Sequence, residues 1–154
     1  MTVSTQPQPG KRVAPILLAE DDAELRAMLS VAFQEDGFDV IEAPDGNALL
    51  ERLAEALCSE GSLDAFAAII SDIRMPGHTA LEVLKGIRGA LHHTPVILTT
   101  AFGDRDTHER ARRFGAAAVV DKPFDIDDLR TTVYRAILDL GRSPPGHRRE
   151  RSAG

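Results

Sequence analysis

The feature that most constrains this chain is a series of short, wholly apolar runs, each closed by a polar residue of its own chemistry. Ile16-Leu17-Leu18-Ala19 runs into Glu20-Asp21-Asp22, and Ala67-Ala68-Ile69-Ile70-Ser71 into Asp72. Pro95-Val96-Ile97-Leu98 runs into Thr99-Thr100, and Ala117-Ala118-Val119-Val120-Asp121 into Lys122-Pro123. A strand with one wet face alternates apolar and polar residues. A run without alternation, too short for a helix, suits a strand buried on both faces of a parallel sheet. In such a sheet the carboxyl ends share one edge, and ligands bind there at the topological switch point. Three acids, a hydroxyl and a lysine from four strands therefore meet in one cleft.

Segments of helical period separate the runs. The first helix starts at Asp22 and carries Leu25, Met28, Leu29, Ala32 and Phe33 as an apolar stripe ending at Gly37. Phe38-Asp39-Val40-Ile41 reads as a second strand. Asp45-Gly46-Asn47 opens a helix with Ala48, Leu49, Leu53, Ala56 and Leu57 inside and Gly61 as its stop. Pro76-Gly77 leads to a helix carrying Leu81, Leu84, Ile87 and Leu91. A loop at Phe102-Gly103-Asp104 precedes a charged helix from Asp106 to Phe114, broken by Gly115. The last helix presents Leu129, Val133, Ala136, Ile137 and Leu140. Five strand–helix alternations with short loops predict an α/β fold with right-handed crossovers and helices on both faces of the sheet.

Composition bounds the rest. A chain of 154 residues with 43% hydrophobic content suits one domain with one core. Residues 1–11 and 142–154 have the composition of disordered tails, which leaves 12–141 as the domain. A net charge of −6 argues against a general nucleic-acid or anionic-membrane binder. The single cysteine, Cys58, has no internal disulfide partner and reads as a small helix-packing residue in a reducing compartment. No apolar stretch reaches the roughly 18–20 residues that cross a bilayer, and the amino terminus lacks the apolar core of a signal peptide. The expectation is a cytoplasmic, full-length, one-domain protein without membrane contact.

The acids dictate the chemistry of the cleft. Carboxylates about 5 Å apart repel by roughly 3 kcal/mol per pair at an effective dielectric near 20. A hard divalent cation removes that conflict, and oxygen ligands with room for water suit Mg²⁺. Asp21 and Asp72 are the candidate direct ligands; Glu20 reaches the ion through water, and Asp22 caps the first helix. Lys122 precedes proline, which favours an extended backbone, and its ammonium is placed to offset charge on a phosphorylated carboxylate. Thr99 and Thr100 point to opposite faces, so one hydroxyl faces the cleft, and Thr100, beside the Ala101 turn, is the better placed.

Four segments carry a family resemblance: Ile16–Asp22, Ser71-Asp72-Ile73-Arg74-Met75-Pro76-Gly77, Thr100-Ala101-Phe102-Gly103 and Asp121-Lys122-Pro123-Phe124. In order and approximate spacing they resemble the receiver domain of two-component response regulators, over roughly residues 12–141. The resemblance implies a flavodoxin-like, doubly wound sheet of five parallel strands in the order 2-1-3-4-5 with five helices. It implies that Asp72 accepts a phosphoryl group from the phosphohistidine of a sensor histidine kinase or phosphotransfer protein. It implies Mg²⁺ held by Glu20, Asp21, Asp72 and the backbone carbonyl of Arg74, with Lys122 and Thr100 on the phosphoryl oxygens. Output then passes through the fourth helix, fifth strand and fifth helix, with Arg105, His108, Arg112, Arg130 and Tyr134, to a downstream protein target or phosphorelay. A weak or phosphorylation-dependent dimer fits the same implication, and no nucleic-acid partner is expected.

The chain departs from the family pattern at three places. Val119 stands where the family usually has Tyr or Phe, so the aromatic switch is missing in its usual form. Ala80 stands where a glycine is usual, and the stretch from Gly46 to Asp72 is longer, which predicts extra turns in the second helix. Arg74 and Phe102 flank the acceptor, and a bulky Phe102 would shield an acyl phosphate from water. His92-His93 reads as solvent-facing, and Arg148-Arg149-Glu150-Arg151 as a solvated tail. The favoured function is a single-domain phosphoacceptor; the alternative is a receiver-like module that binds without phosphorylation. A flavodoxin-like or hydrolase-type enzyme would need a flavin phosphate loop or a water-activating base, and neither is visible in the sequence.

Overall fold

The structure is a computed structural model that describes residues 13–101 and 103–145. Its five strands are β1 (Ile16–Ala19), β2 (Val40–Ala43), β3 (Ala68–Asp72), β4 (Val96–Thr100) and β5 (Ala118–Asp121). Its helices are α1 (Ala23–Glu35), α2 (Gly46–Glu60), α3 (Ala80–Ile87), α4 (Arg105–Arg113) and α5 (Ile126–Asp139). The strands form one parallel sheet in the order β2-β1-β3-β4-β5, as expected. Register aligns their carboxyl ends: Ala19 pairs with Ser71, Asp72 with Thr99, and Thr100 with Asp121. Glu20, Asp72 and Lys122 thus leave the sheet at nearly the same level.

The unalternating runs are explained by two cores. Leu17, Ala19, Ile69 and Leu98 face α2 and α3, where Leu49, Leu53, Leu81 and Leu84 meet them. Ile16, Leu18, Ile70 and Ile97 face the opposite side, against Leu29 and Phe33 of α1 and Leu129, Val133 and Ile137 of α5. Every helix begins on a side-chain cap, from Asp22, Asp45, Thr79, Asp104 and Asp125 in turn, so each entry angle from the site edge is fixed by a local hydrogen bond. Gly61 ends α2 at φ 71°, a conformation that favours glycine. No helix among the described residues is long and apolar enough to cross a membrane.

Several local expectations need correction. Met28 is not in the stripe: it and Val31 are exposed, and Ser30 takes a buried place on α1. β2 starts at Val40 rather than Phe38, because Phe38 folds back onto Phe33, ring to ring at 6.3 Å and 75°. Leu91 lies beyond α3, which tightens into a 3₁₀ turn at Arg88–Ala90 where Gly86 and Gly89 weaken the helix. Cys58 is exposed rather than packed. Arg142, placed in the carboxyl-terminal tail by composition, donates its guanidinium to the Phe66 carbonyl at 2.8 Å, and Pro144 is buried. Pro145 sits so close to Gly37 that a Cβ there would stand 2.8 Å from the proline Cβ. The remaining tail residues that the sequence singled out, Arg148 to Arg151, lie outside the described residues.

The two faces predict unequal mutational costs. Leu18→Ala, at a fully buried position in β1, is expected to lower unfolding free energy by about 2–5 kcal/mol, and Met28→Ala by less than about 0.5 kcal/mol. Urea denaturation of both variants checks this, and equal losses would contradict the assigned face of α1.

Candidate functional site

The site is built where the strand ends converge. Asp72, the last residue of β3, is 8% exposed, and Glu20, one residue past β1, is 2% exposed. Asp21 is exposed beside them. One oxygen from each of the three carboxylates lies within 4.8 Å of the others. From β5, Lys122 reaches between them: its Nζ donates to Asp72 Oδ2 at 2.8 Å and to Glu20 Oε1 at 3.0 Å. The lysine backbone is pinned as well, its amide donating to the Thr100 carbonyl at 2.7 Å.

The remaining acceptor positions are filled by backbone. The Asp22 amide donates to Glu20 Oε2 at 3.0 Å, and the Arg74 amide to Asp72 Oδ1 at 3.2 Å. Arg26 of α1 donates to the Glu20 carbonyl at 2.8 Å and pairs with Glu42 of β2 at 3.0 Å, bracing the β1 end. Arg26 was not singled out from the sequence; its position one turn after the capping Asp22 was the available signal. Burial pushes the Glu20 carboxyl above its ordinary value, against the opposing pull of the Asp22 amide and Lys122. Burial alone would lower Lys122, but its hydrogen bonds to Asp72 and Glu20 outweigh that and hold it above the ordinary lysine value.

Three carboxylates against one ammonium leave a surplus of negative charge. The donor set is oxygen only, with no histidine or cysteine among its members, and one of the three acids is open to solvent. That chemistry fits Mg²⁺, a hard ion that retains water, better than a soft or borderline metal. Arg74 is joined to Thr79 by a bridge that closes the β3–α3 loop, and Ala80, in the place of the usual glycine, starts α3 with its amide on the Ile73 carbonyl at 2.9 Å. Thr100 is 1% exposed and borders a cavity of about 310 Å³ between α3 and α4, together with Arg74, Thr79, Leu81, Thr107 and Arg110. Phe102 lies outside the described residues.

The expected output face does not hold together as one patch. Arg105, His108 and Arg112 belong to α4, with His108 Nε2 2.9 Å from Asp121 Oδ1. Arg130 instead ties α5 to the end of α1 through Asp36, at 3.0 and 2.5 Å, and to Asp127 at 2.9 Å. Tyr134 lines that same α1–α5 groove beside Pro145. Helical period alone could not tell which flank of α5 these residues take. His92 and His93 are exposed as expected, with His93 held by Asp64 at 3.0 Å through its amide.

Comparison with known proteins gives the same picture. A family model described as the response regulator receiver domain matches residues 16–134. The regulatory protein AtoC of Escherichia coli is 37% identical over 122 residues, covering 79% of this chain and 25% of AtoC. The sporulation initiation phosphotransferase F of Bacillus subtilis is 27% identical over 120 residues, covering 78% of this chain and 90% of that protein. A response regulator receiver domain from Clostridium thermocellum superposes with a TM-score of 0.71 at 26% identity, covering 82% of this chain and 96% of that one. The chemotaxis response regulator CheY4 of Vibrio cholerae does so with a TM-score of 0.69 at 28% identity, covering 81% and 99%. The chain spans about a quarter of the length of AtoC and of FleR from Pseudomonas aeruginosa, and about half of PdtaR from Mycobacterium tuberculosis.

The lysine bridge makes a stability prediction. Lys122→Met leaves Glu20 and Asp72 buried without their cation and is expected to cost about 2–3 kcal/mol at neutral pH in Mg²⁺-free buffer. That is somewhat below a fully buried pair, because the lysine side chain keeps 20% exposure. Adding Glu20→Gln is expected to restore part of the loss, and denaturant titration of the single and double variants would show additive losses if the bridge were immaterial.

Proposed function

The chain belongs to the response regulator receiver domain family of two-component signalling, and from that premise we propose that Asp72 is its phosphoacceptor. Receiver domains are signalling domains rather than conventional enzymes, and they bind Mg²⁺ at an acidic pocket, here the cluster of Glu20, Asp21 and Asp72. The observation that carries the proposal is the setting of the Asp72 carboxylate. One oxygen rests on Lys122 and the other on the Arg74 amide, with two further acids beside it.

The chemistry follows from that setting. A carboxylate oxygen of Asp72 attacks the phosphorus of a phosphohistidine on a sensor kinase or phosphotransfer protein. The new P–O bond forms as the P–N bond breaks, and the imidazole nitrogen leaves with the electron pair and takes up a proton. Glu20, Asp21, Asp72 and the Arg74 backbone carbonyl would hold Mg²⁺, whose charge when bound offsets that of the phosphoryl oxygens. Lys122 exchanges its carboxylate partners for a phosphoryl oxygen and balances a charge of nearly −2. Thr100, bordering the cavity beside Arg74, donates a hydrogen bond to another oxygen. The loaded state then biases the α4 and β5 surface toward a downstream protein target, in the cytoplasm.

A second reading, binding without phosphorylation, is favoured by Val119. Half-buried on β5 against the α2–α4 side of the core, it supplies no aromatic ring to follow Thr100. Acetyl phosphate separates the two. With Mg²⁺ the chain is expected to gain the mass of one phosphoryl group, while Asp72→Asn gains none and Asp21→Asn or omission of Mg²⁺ suppresses the gain. Intact-mass spectrometry showing no adduct on the unmodified sequence, or the same adduct on Asp72→Asn, would sink the phosphoacceptor reading.

A further inference from the structure

α4 is attached to the molecule differently from the other helices. α1, α2, α3 and α5 each bury four residues, whereas α4 buries Ala111 alone. A helix with so little apolar contact sits at the low-stability end of the structure and depends on its polar contacts. Ala111 packs into the core beside the sheet, and a polar contact adds to it: the 2.9 Å pair between His108 Nε2 and Asp121 Oδ1.

Asp121 is well placed to sense the site. It ends β5, lies in register with Thr100 and immediately precedes Lys122, whose amide is bonded to the Thr100 carbonyl at 2.7 Å. A force on Lys122 is therefore felt one residue away. Gly103 closes over the pair from the β4–α4 loop. A Cβ at that position would stand 1.6 Å from Asp121 Oδ1 and 2.9 Å from His108 Nε2, so the contact depends on the missing side chain. On its other flank α4 borders the 310 Å³ cavity, with Thr107 and Arg110 across from Thr79 and Leu81. The helix has room to move once released.

We propose that His108 and Asp121 form a latch that holds α4 to the end of β5, and that loading Asp72 opens it. The two are positioning residues that report the state of the site to the α4 surface, and the proposal rests on the phosphoacceptor reading. A phosphoryl charge of nearly −2 draws Lys122 Nζ from the carboxylates. The strand end follows, and Asp121 parts from His108. With Val119 in β5 there is no ring to carry the message by packing, and this polar contact carries it instead.

Amide hydrogen exchange across residues 105–113 tests the latch in the full chain with Mg²⁺, with and without beryllofluoride. Loading is read separately from the bound-fluorine signal. Loading is expected to speed α4 exchange about fivefold, a factor in the range of local opening equilibria. Gly103→Ala and His108→Ala are expected to exchange at the fast rate in both states while binding beryllofluoride as the unmodified sequence does. His108→Gln, which can still donate to Asp121, is expected to recover the slow rate. Loading that leaves α4 unchanged, or that changes it equally in the variants, would overturn the latch. Absence of the fluorine signal from the unmodified protein would instead overturn the phosphoacceptor reading beneath it.

Discussion

The ammonium of Lys122, held 2.8 Å from Asp72 and 3.0 Å from Glu20, is the contact on which the functional architecture depends. Two buried carboxylates at the edge of a parallel sheet would otherwise repel each other and resist ionisation. A cation delivered from the far edge strand lets both stay close. That delivery requires β5 to be in register with β4, β4 with β3, and β3 with β1, so the site reads out the sheet topology as a whole. Under the proposed function the bridge also makes the site responsive, because one of the two carboxylates on the lysine, Asp72, is the group whose charge a phosphoryl group would change.

Stability is unevenly placed around that contact. The central strands are sealed on both faces, and four of the helices bury four residues each, which fixes the floor of the cleft. α4, beside Thr100, has one buried residue, a cavity on one flank and a polar pair on the other. A rigid site next to a loosely held helix is the arrangement on which the proposed latch relies, since a packed helix would need a larger driving force to move.

The sheet and the cleft were legible because they rest on strong, local signals. Unbroken apolar runs report two-sided burial directly, and Asp22, Asp45 and Gly61 mark helix ends by backbone chemistry that acts within a few residues. The acids and Lys122 could be grouped because each ends such a run. What could not be read depends on tertiary contacts. Ser30 is buried and Met28 exposed because α1 is rotated on the sheet, which an apolar stripe defines only loosely. Phe38 left the second strand for an edge-to-face contact with Phe33. Arg130 turned to Asp36, 94 residues away in sequence, and His108 met Asp121 across two elements; nothing in their local sequence announces either pairing.

The assignment of Asp72 as acceptor is tested most directly by locating an acyl phosphate. Borohydride reduces an aspartyl phosphate to homoserine, so protein incubated with acetyl phosphate and Mg²⁺, then reduced and mapped by tandem mass spectrometry, reveals the acceptor by residue. The account predicts homoserine at Asp72, with Asp21 unmodified and Glu20 intact. Homoserine at Asp21, or labelling spread across the exposed acids with Asp72 untouched, would contradict it.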